Sequence, residues 1–468
     1  MRKKPCYPLA QKSEKTPSQR AYRNPIVPSS LPKLVEPPDS NQKQRLGSLE
    51  LQITDLSHDG RGITKLDDGK VVFVSGALPS ETVVAKIRQH KQNFAEATLV
   101  KLITTSKERV TPICNNAGRC GGCQLQHLSY SGQVNAKQQQ FKQALERKKI
   151  ATSDIVAPIL STPFHYRRRA RWVLNAQHQL CFRSLGGKEQ IAISDCALLE
   201  LELNQLIKNI QLAITQKQLS ANAMIELELI AFDQRVIVIK VTRHWHDAQQ
   251  QKWQHWLIEQ GIDLLVVQQA DQSTVIALSS TLETELTEQV NQDKLSVSWN
   301  SFVQANRLIN QQMVHQAIDW LMPTKETKIL DLFCGIGNFS FALAQTGAEV
   351  LGIENNPASL YVAKQTAQRL ILKNIQFLSA DLFDSNTQLP TGYQSILLDP
   401  PWDGADQVCQ KLKKRKDIQR ILYISCHQGS LIRDLETLTS AGFKIIKTGL
   451  IDQFPQTYHI ESMTLLMR

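Results

Sequence analysis

No apolar run in these 468 residues approaches the ~18 that a membrane helix requires, so a helical membrane protein is not expected. The amino terminus is basic but has no apolar h-region, which removes the case for a secretory signal and makes the cytoplasm the expected compartment. There is no G-x-x-x-x-G-K-[ST] stretch, hence no phosphate-cradling loop. The G-x-G at Gly335 and Gly337 lacks the third glycine of a dinucleotide fingerprint. Acidic residues are short: 43 Asp and Glu stand against 54 Lys and Arg, a net charge of +11. That excess favours a polyanionic partner, nucleic acid first. Nine cysteines in a reducing compartment argue for metal or catalysis, not for disulfides.

The length suggests about three domains. Residues 1–45 hold ten Lys/Arg against three Asp/Glu and eight of the eighteen prolines. Without apolar periodicity, this stretch reads as a disordered basic extension. Residues 46–106 read as short strands joined by Asp-Gly turns, a pattern that suits a small OB-like barrel. Arg61, Lys65, Lys86, Arg88 and Lys91 are expected to face phosphate there. Residues 107–300 open with Cys114, Cys120 and Cys123, spaced C-x5-C-x2-C, with Cys196 lying 73 residues further on. Three cysteines need a fourth ligand for a closed metal site, and spacing alone leaves zinc and iron–sulfur both open. Gln138–Lys148 reads as a helix. Arg167, Arg169 and Arg171 alternate, so on a strand they share one face, a row suited to single-stranded RNA. The rest of this segment reads as a central α+β domain.

Residues 301–468 carry the densest pattern. Ile329–Phe333 is a short apolar run broken only by Asp331, as in a strand buried on both faces. Gly335 and Gly337 then give a tight turn, and Asn338 is placed to cap the following helix. A second strand ends at Glu354, 23 residues after Asp331, where an acid can accept from ribose hydroxyls. Further strands end at Asp381, at Asp399-Pro400-Pro401-Trp402 and at Cys426. Polar residues at five successive strand ends predict a doubly wound α/β domain with a ligand beyond those ends.

This arrangement resembles the S-adenosylmethionine-dependent methyltransferases, and among them the RNA uracil-5-methyltransferases that carry an iron–sulfur cluster. Phe302-Val303-Gln304-Ala305-Asn306 and Glu461-Ser462-Met463 extend the likeness to roughly residues 45–468. The resemblance implies a TRAM barrel at the amino end and a [4Fe–4S] cluster on Cys114, Cys120, Cys123 and Cys196. It implies S-adenosylmethionine held by Gln304, Phe333, Asn338, Glu354, Asp381 and Asp399. It implies Cys426 as nucleophile toward uracil C6 and Glu461 as the base that takes the C5 proton. Barrel and cluster together resemble the branch acting on 23S ribosomal RNA, with a monomer and no membrane partner expected.

Two departures stand out. The family's Ser-Cys-Asn-Pro reads Ser425-Cys426-His427-Gln428 here, and Trp402 stands where Arg or Ala is common nearby. Loss of the proline is expected to loosen the turn. An imidazolium at His427 would favour the Cys426 thiolate. Two other readings stay open: an amino-methyltransferase using Asp399-Pro400-Pro401-Trp402, and an RNA-binding paralogue without activity.

Overall fold

The computed structural model describes residues 48–270, 272–279 and 286–468. The basic extension over 1–45 and Cys6 lie outside the described residues.

The barrel expected from short strands is a six-stranded sheet beginning at Ser48–Gln52 and ending with the long strand Phe94–Thr104. Alternation buries Val72, Val74, Val83, Ala85, Ala95 and Ala97 in one core. Lys65, Lys86, Arg88 and Lys91 point outward and are exposed. Arg61 does not. It pairs with Asp59 at 2.7 Å and Glu96 at 3.1 Å, and its guanidinium lies 4.6 Å from the Phe73 ring centroid. Its charge is spent on neighbouring carboxylates.

The central domain is a seven-stranded sheet covered by helices Leu201–Thr215 and Asp247–Glu259. Leu203, Ile207, Ile210, Trp253 and Leu257 pack with Trp172, Leu227 and Ile237 of the sheet. The arginine row meets a different fate from the one expected. Strand Arg169–Leu174 pairs antiparallel with Met224–Ala231, which sets Arg171 directly opposite Glu228. Arg169 Nε donates to Glu228 Oε1 at 2.8 Å, and Arg171 pairs with both Glu226 and Glu228 at 3.3 Å. Neighbouring carboxylates thus neutralise two members of the row. Arg168, between Arg167 and Arg169, is buried in an ion pair with Glu288.

The helix expected from Gln138 begins earlier, at Tyr130, and runs to Arg147. Ser129 caps it by accepting from the Gly132 N–H. Phe141 and Leu145 of this helix join the core of the carboxy-terminal domain. Residues 152–159 follow that core too, forming parallel bridges to the strand Lys444–Ile451.

The carboxy-terminal sheet has seven strands: Lys328–Leu332, Glu349–Glu354, Ile375–Ser379, Ser395–Leu398, Arg420–Ser425, Lys444–Ile451 and Glu461–Met467. Numbered in that order, they lie 3-2-1-4-5-7-6 across the sheet. The first five are parallel, and the seventh runs antiparallel between the fifth and sixth. Strand order reverses between the first and fourth strands, and a ligand crevice opens beyond the carboxyl ends at such a point.

Candidate active site

The crevice begins at the first strand's end. Phe333 has φ 64°, an uncommon conformation for a bulky residue. Its N–H and that of Cys334 both donate to Ile353 O, so the second strand holds the turn in this shape. Gly337, φ 91°, cannot be replaced: a Cβ there would come within 2.5 Å of the Phe341 ring. Glu354 closes over the turn. Its carboxylate accepts from the N–H groups of Gly335 at 3.1 Å, Asn355 at 2.9 Å and Asn356 at 2.8 Å. A carboxylate has about four acceptor sites, so one remains for a ribose hydroxyl.

Asn338 does not cap the helix that follows. That helix, Ser340–Gln345, has Phe339 at its N-cap without a side-chain bond. The Asn338 amide instead exchanges bonds with Asn310, at 2.8 and 2.9 Å. Gln304 is buried, and its Oε1 accepts from Gln453 Nε2 at 2.7 Å. Asp381 Oδ1 accepts the Phe383 N–H at 2.9 Å, and among the described residues none donates to its other oxygen. Phe383 was not legible as a site residue. Its ring lies 5.5 Å from that of Phe333, and the two make an apolar patch beside the turn. An aromatic two residues past a strand-end acid was the only signal.

Cys426 and Glu461 come together through strand register. Ile424 pairs with Met463 and Ser425 with Ser462, so the next residues in line are Cys426 and Glu461. Asp399 follows Leu398, which pairs with Tyr423 on the other side of the fifth strand. Burial pushes the Cys426 thiol up to about 12, with Glu461 and then Asp399 adding to the rise. Burial likewise pushes Glu461 up to about 8 and Asp399 up to about 7, with Asp399 and Asp331 respectively contributing. The group is therefore a set of coupled protons at neutral pH, not a preformed thiolate.

His427 is the N-cap of helix Gln428–Ser440, its Nδ1 accepting from Ser430 N–H at 3.4 Å. A cap acceptor must be unprotonated. Burial, and then Arg433, also lower its pKa. The imidazolium expected beside Cys426 is thus replaced by a neutral ring. Nor is the turn loose without proline: Gln428 Nε2 donates to Gln140 O at 3.1 Å, tying it to helix Tyr130–Arg147.

That helix also fixes the loop leading to Glu461. Lys137 Nζ meets buried Asp452 at 2.7 Å and Phe454 O at 3.1 Å. Gln133 and Gln456 exchange bonds at 2.9 and 3.0 Å, and Gln456 O accepts the N–H groups of Gln124 and Leu125 at 3.0 Å. The loop before the candidate base is thereby tied to residues that directly follow Cys123.

None of the four cysteines is in a disulfide; Cys120 is buried and the others partly so. Burial pushes Cys123 up to about 12, with Cys196, Cys120 and Cys114 each adding. Arg167 lies close enough to act in the opposite sense on Cys120 and Cys196. Among the described residues, no three metal-ligating side chains converge tightly enough for a single ion. Also among the described residues, no helix is long and apolar enough to cross a membrane.

The sheet order and the polar residues at its strand ends define an S-adenosylmethionine-dependent methyltransferase. A family profile described as tRNA (Uracil-5-)-methyltransferase matches residues 129–468, and a TRAM domain profile matches residues 46–100. The chain belongs to the RNA uracil-5-methyltransferase family. It is 37% identical over 437 residues to the 23S rRNA (uracil(1939)-C(5))-methyltransferase RlmD of Shewanella piezotolerans, covering 91% of this chain and 97% of that one. The RlmD of Shewanella woodyi is 36% identical over 436 residues, with the same coverage. Among solved structures, the Pyrococcus abyssi tRNA (uracil-54, C5)-methyltransferase in complex with S-adenosyl-L-homocysteine superposes with a TM-score of 0.72. That match covers 90% of this chain and 100% of the other at 19% identity, a likeness of fold.

Proposed function

We propose that this enzyme methylates C5 of a uridine in 23S ribosomal RNA through a covalent adduct of Cys426 with uracil C6. The register that sets Cys426 opposite Glu461 is the observation that supports it. Identity to RlmD enzymes across nearly the whole chain supports the substrate.

Uracil C5 is a poor nucleophile. Addition of the Cys426 sulfur to C6 breaks the C5–C6 double bond and puts electron density on C5 and O4. The thiol proton leaves as that bond forms, and Asp399 beside it is the acceptor, which leaves Glu461 ionised for the later step. S-adenosylmethionine, when bound, supplies an electrophilic methyl group on a sulfonium. Glu461 then takes the C5 proton, the double bond re-forms, and the Cys426 sulfur departs. Glu354 fits the ribose, Phe333 the first turn, Phe383 one face of the adenine, and Asp381 the adenine amine. Asn338, paired with Asn310, lines the turn, and Gln304 and Asp399 complete the pocket. Both alternative readings lack comparable support: an amino-methyltransferase has no use for the Cys426–Glu461 pair, and an inactive paralogue has no reason to retain it.

We further propose that Cys114, Cys120, Cys123 and Cys196 hold a [4Fe–4S] cluster. Cys196, Cys120 and Cys114 all lie near enough to Cys123 to act on its thiol, and Arg167 acts on Cys120 and Cys196, a cation beside a group of thiols that suits an anionic cluster. Anaerobically purified protein should carry about four irons and absorb broadly in the blue. One zinc per chain would replace this assignment.

RNA with 5-fluorouridine at the target tests the mechanism. Fluorine cannot leave as a proton, so methylated RNA should remain bound to wild-type protein through denaturing gels. Cys426→Ala should form no adduct and no 5-methyluridine. Normal methylation by that variant would remove the adduct from the mechanism.

A further inference from the structure

The Trp402 and His427 rings stack with centroids 4.0 Å apart and planes 18° apart, and His427 directly follows Cys426. Both lie where the chain departs from the family's usual motifs. Trp402 is nonetheless 47% exposed. A large apolar ring left in water beside a nucleophile is an unusual place for the chain's bulkiest side chain.

The exposure does not come from a loose loop. Ser430 Oγ donates to Trp402 O at 3.0 Å. Gly404 has φ 77°, and a Cβ there would lie 2.7 Å from atoms of Arg433, Asp434 and Ser430. His427 is fixed underneath by its cap bond to Ser430 and by Gly429, where a Cβ would come within 3.1 Å of the imidazole. His459 abuts Trp402 edge-on at 6.3 Å. The indole is thus backed by one ring, buttressed by another and still accessible. Arg433, pinned by Asp434 at 2.8 Å, keeps a half-exposed guanidinium beside the same loop.

A uracil attacked at C6 must leave the base stack, and its former neighbour loses a stacking face. A preorganised aromatic face stacked on the residue that follows the nucleophile can replace it. Aromatic rings take any base this way, and a nearby cation serves the phosphate. We propose that Trp402, backed by His427, is a stacking platform for the nucleobase adjoining the target uridine in single-stranded RNA. This rests on the uracil-C5 reading of the same site.

The test uses a 23S rRNA fragment in which the nucleotide 5′ or 3′ of the methylated uridine is made abasic in turn. Kd by filter binding and KM and kcat for methylation are measured for wild type, Trp402→Ala and Trp402→Phe. Stacking of one base corresponds to about tenfold in affinity. Wild type should lose about tenfold in Kd and KM on one of the two abasic RNAs. Trp402→Ala should lose as much on intact RNA and nothing more on that abasic RNA, while Trp402→Phe should recover most of the loss. Additive losses, or an unchanged Kd for Trp402→Ala, would overturn the platform and leave the stack as loop packing. Wild type that binds the fragment without methylating it would refute the uracil reading, while the binding arm still decides the platform.

Discussion

His427 Nδ1 lies 3.4 Å from the backbone N–H of Ser430 and accepts from it, which makes a histidine the cap of the helix behind the nucleophile. Asparagine, usual here in the family, caps at any pH. Histidine caps only while Nδ1 is unprotonated. The folded state holds the His427 pKa below its ordinary value, through burial first and Arg433 next. Its contribution is therefore complete above the unfolded value near ~6.5 and is lost as pH falls through the folded value. His427→Asn should equal wild type in Tm at pH 8 and exceed it increasingly below about pH 6.5, by up to the ~1 kcal/mol typical of a cap. Parallel Tm curves down to pH 5 would show that the cap bond contributes nothing.

Glu461 gives the opposite kind of pH dependence, in rate. A base must be ionised to take a proton, and burial with Asp399 nearby pushes Glu461 up to about 8. The kcat for turnover should climb with pH through about 8, since the proton is taken after the methyl is transferred. Glu461→Gln should remove this rise. It should also accumulate methylated covalent adduct on ordinary uridine, since attack and transfer precede the blocked step. A flat wild-type profile between pH 6.5 and 9 would place the proton acceptor elsewhere.

The strand ends were legible because parallel strands buried on both faces read as short apolar runs, and the polar residues closing them stand out. Ile329–Phe333 followed by Gly335 and Gly337 is such a run. The placing of Glu461 was not legible from local pattern. It depends on the seventh strand inserting antiparallel between the fifth and sixth, a non-local pairing that only the family motif signalled. Nor were the partners of the arginine row, because Glu226 and Glu228 sit some 55 residues away in sequence and reach Arg171 only across the sheet. Asn338 resembled a cap because Asn favours caps, and a tertiary partner, Asn310, outcompeted the local bond. The early start of helix Tyr130–Arg147 was hidden by its many glutamines, two of which, Gln133 and Gln140, bond to other segments instead of marking a solvated face.

That redistribution of charge decides where RNA phosphate should be felt. Arg169 and Arg171 are neutralised by Glu228 and Glu226, whereas Lys86, Arg88 and Lys91 of the barrel are exposed. A cation already paired releases few counterions on binding, and a free one releases nearly its full share. Each phosphate contact contributes about 0.7 to the slope of log K against log salt on single strands. Replacing Lys86, Arg88 and Lys91 with Ala should lower the slope for an rRNA fragment by about 2. Arg169→Gln with Arg171→Gln should change the slope little. That pair of substitutions should instead lower Tm, because Glu228 is buried and would lose both cations. If the Gln pair lowers the slope and the barrel triple does not, the RNA path runs along the central sheet, and Glu226 and Glu228 must give up their arginines to phosphate on binding.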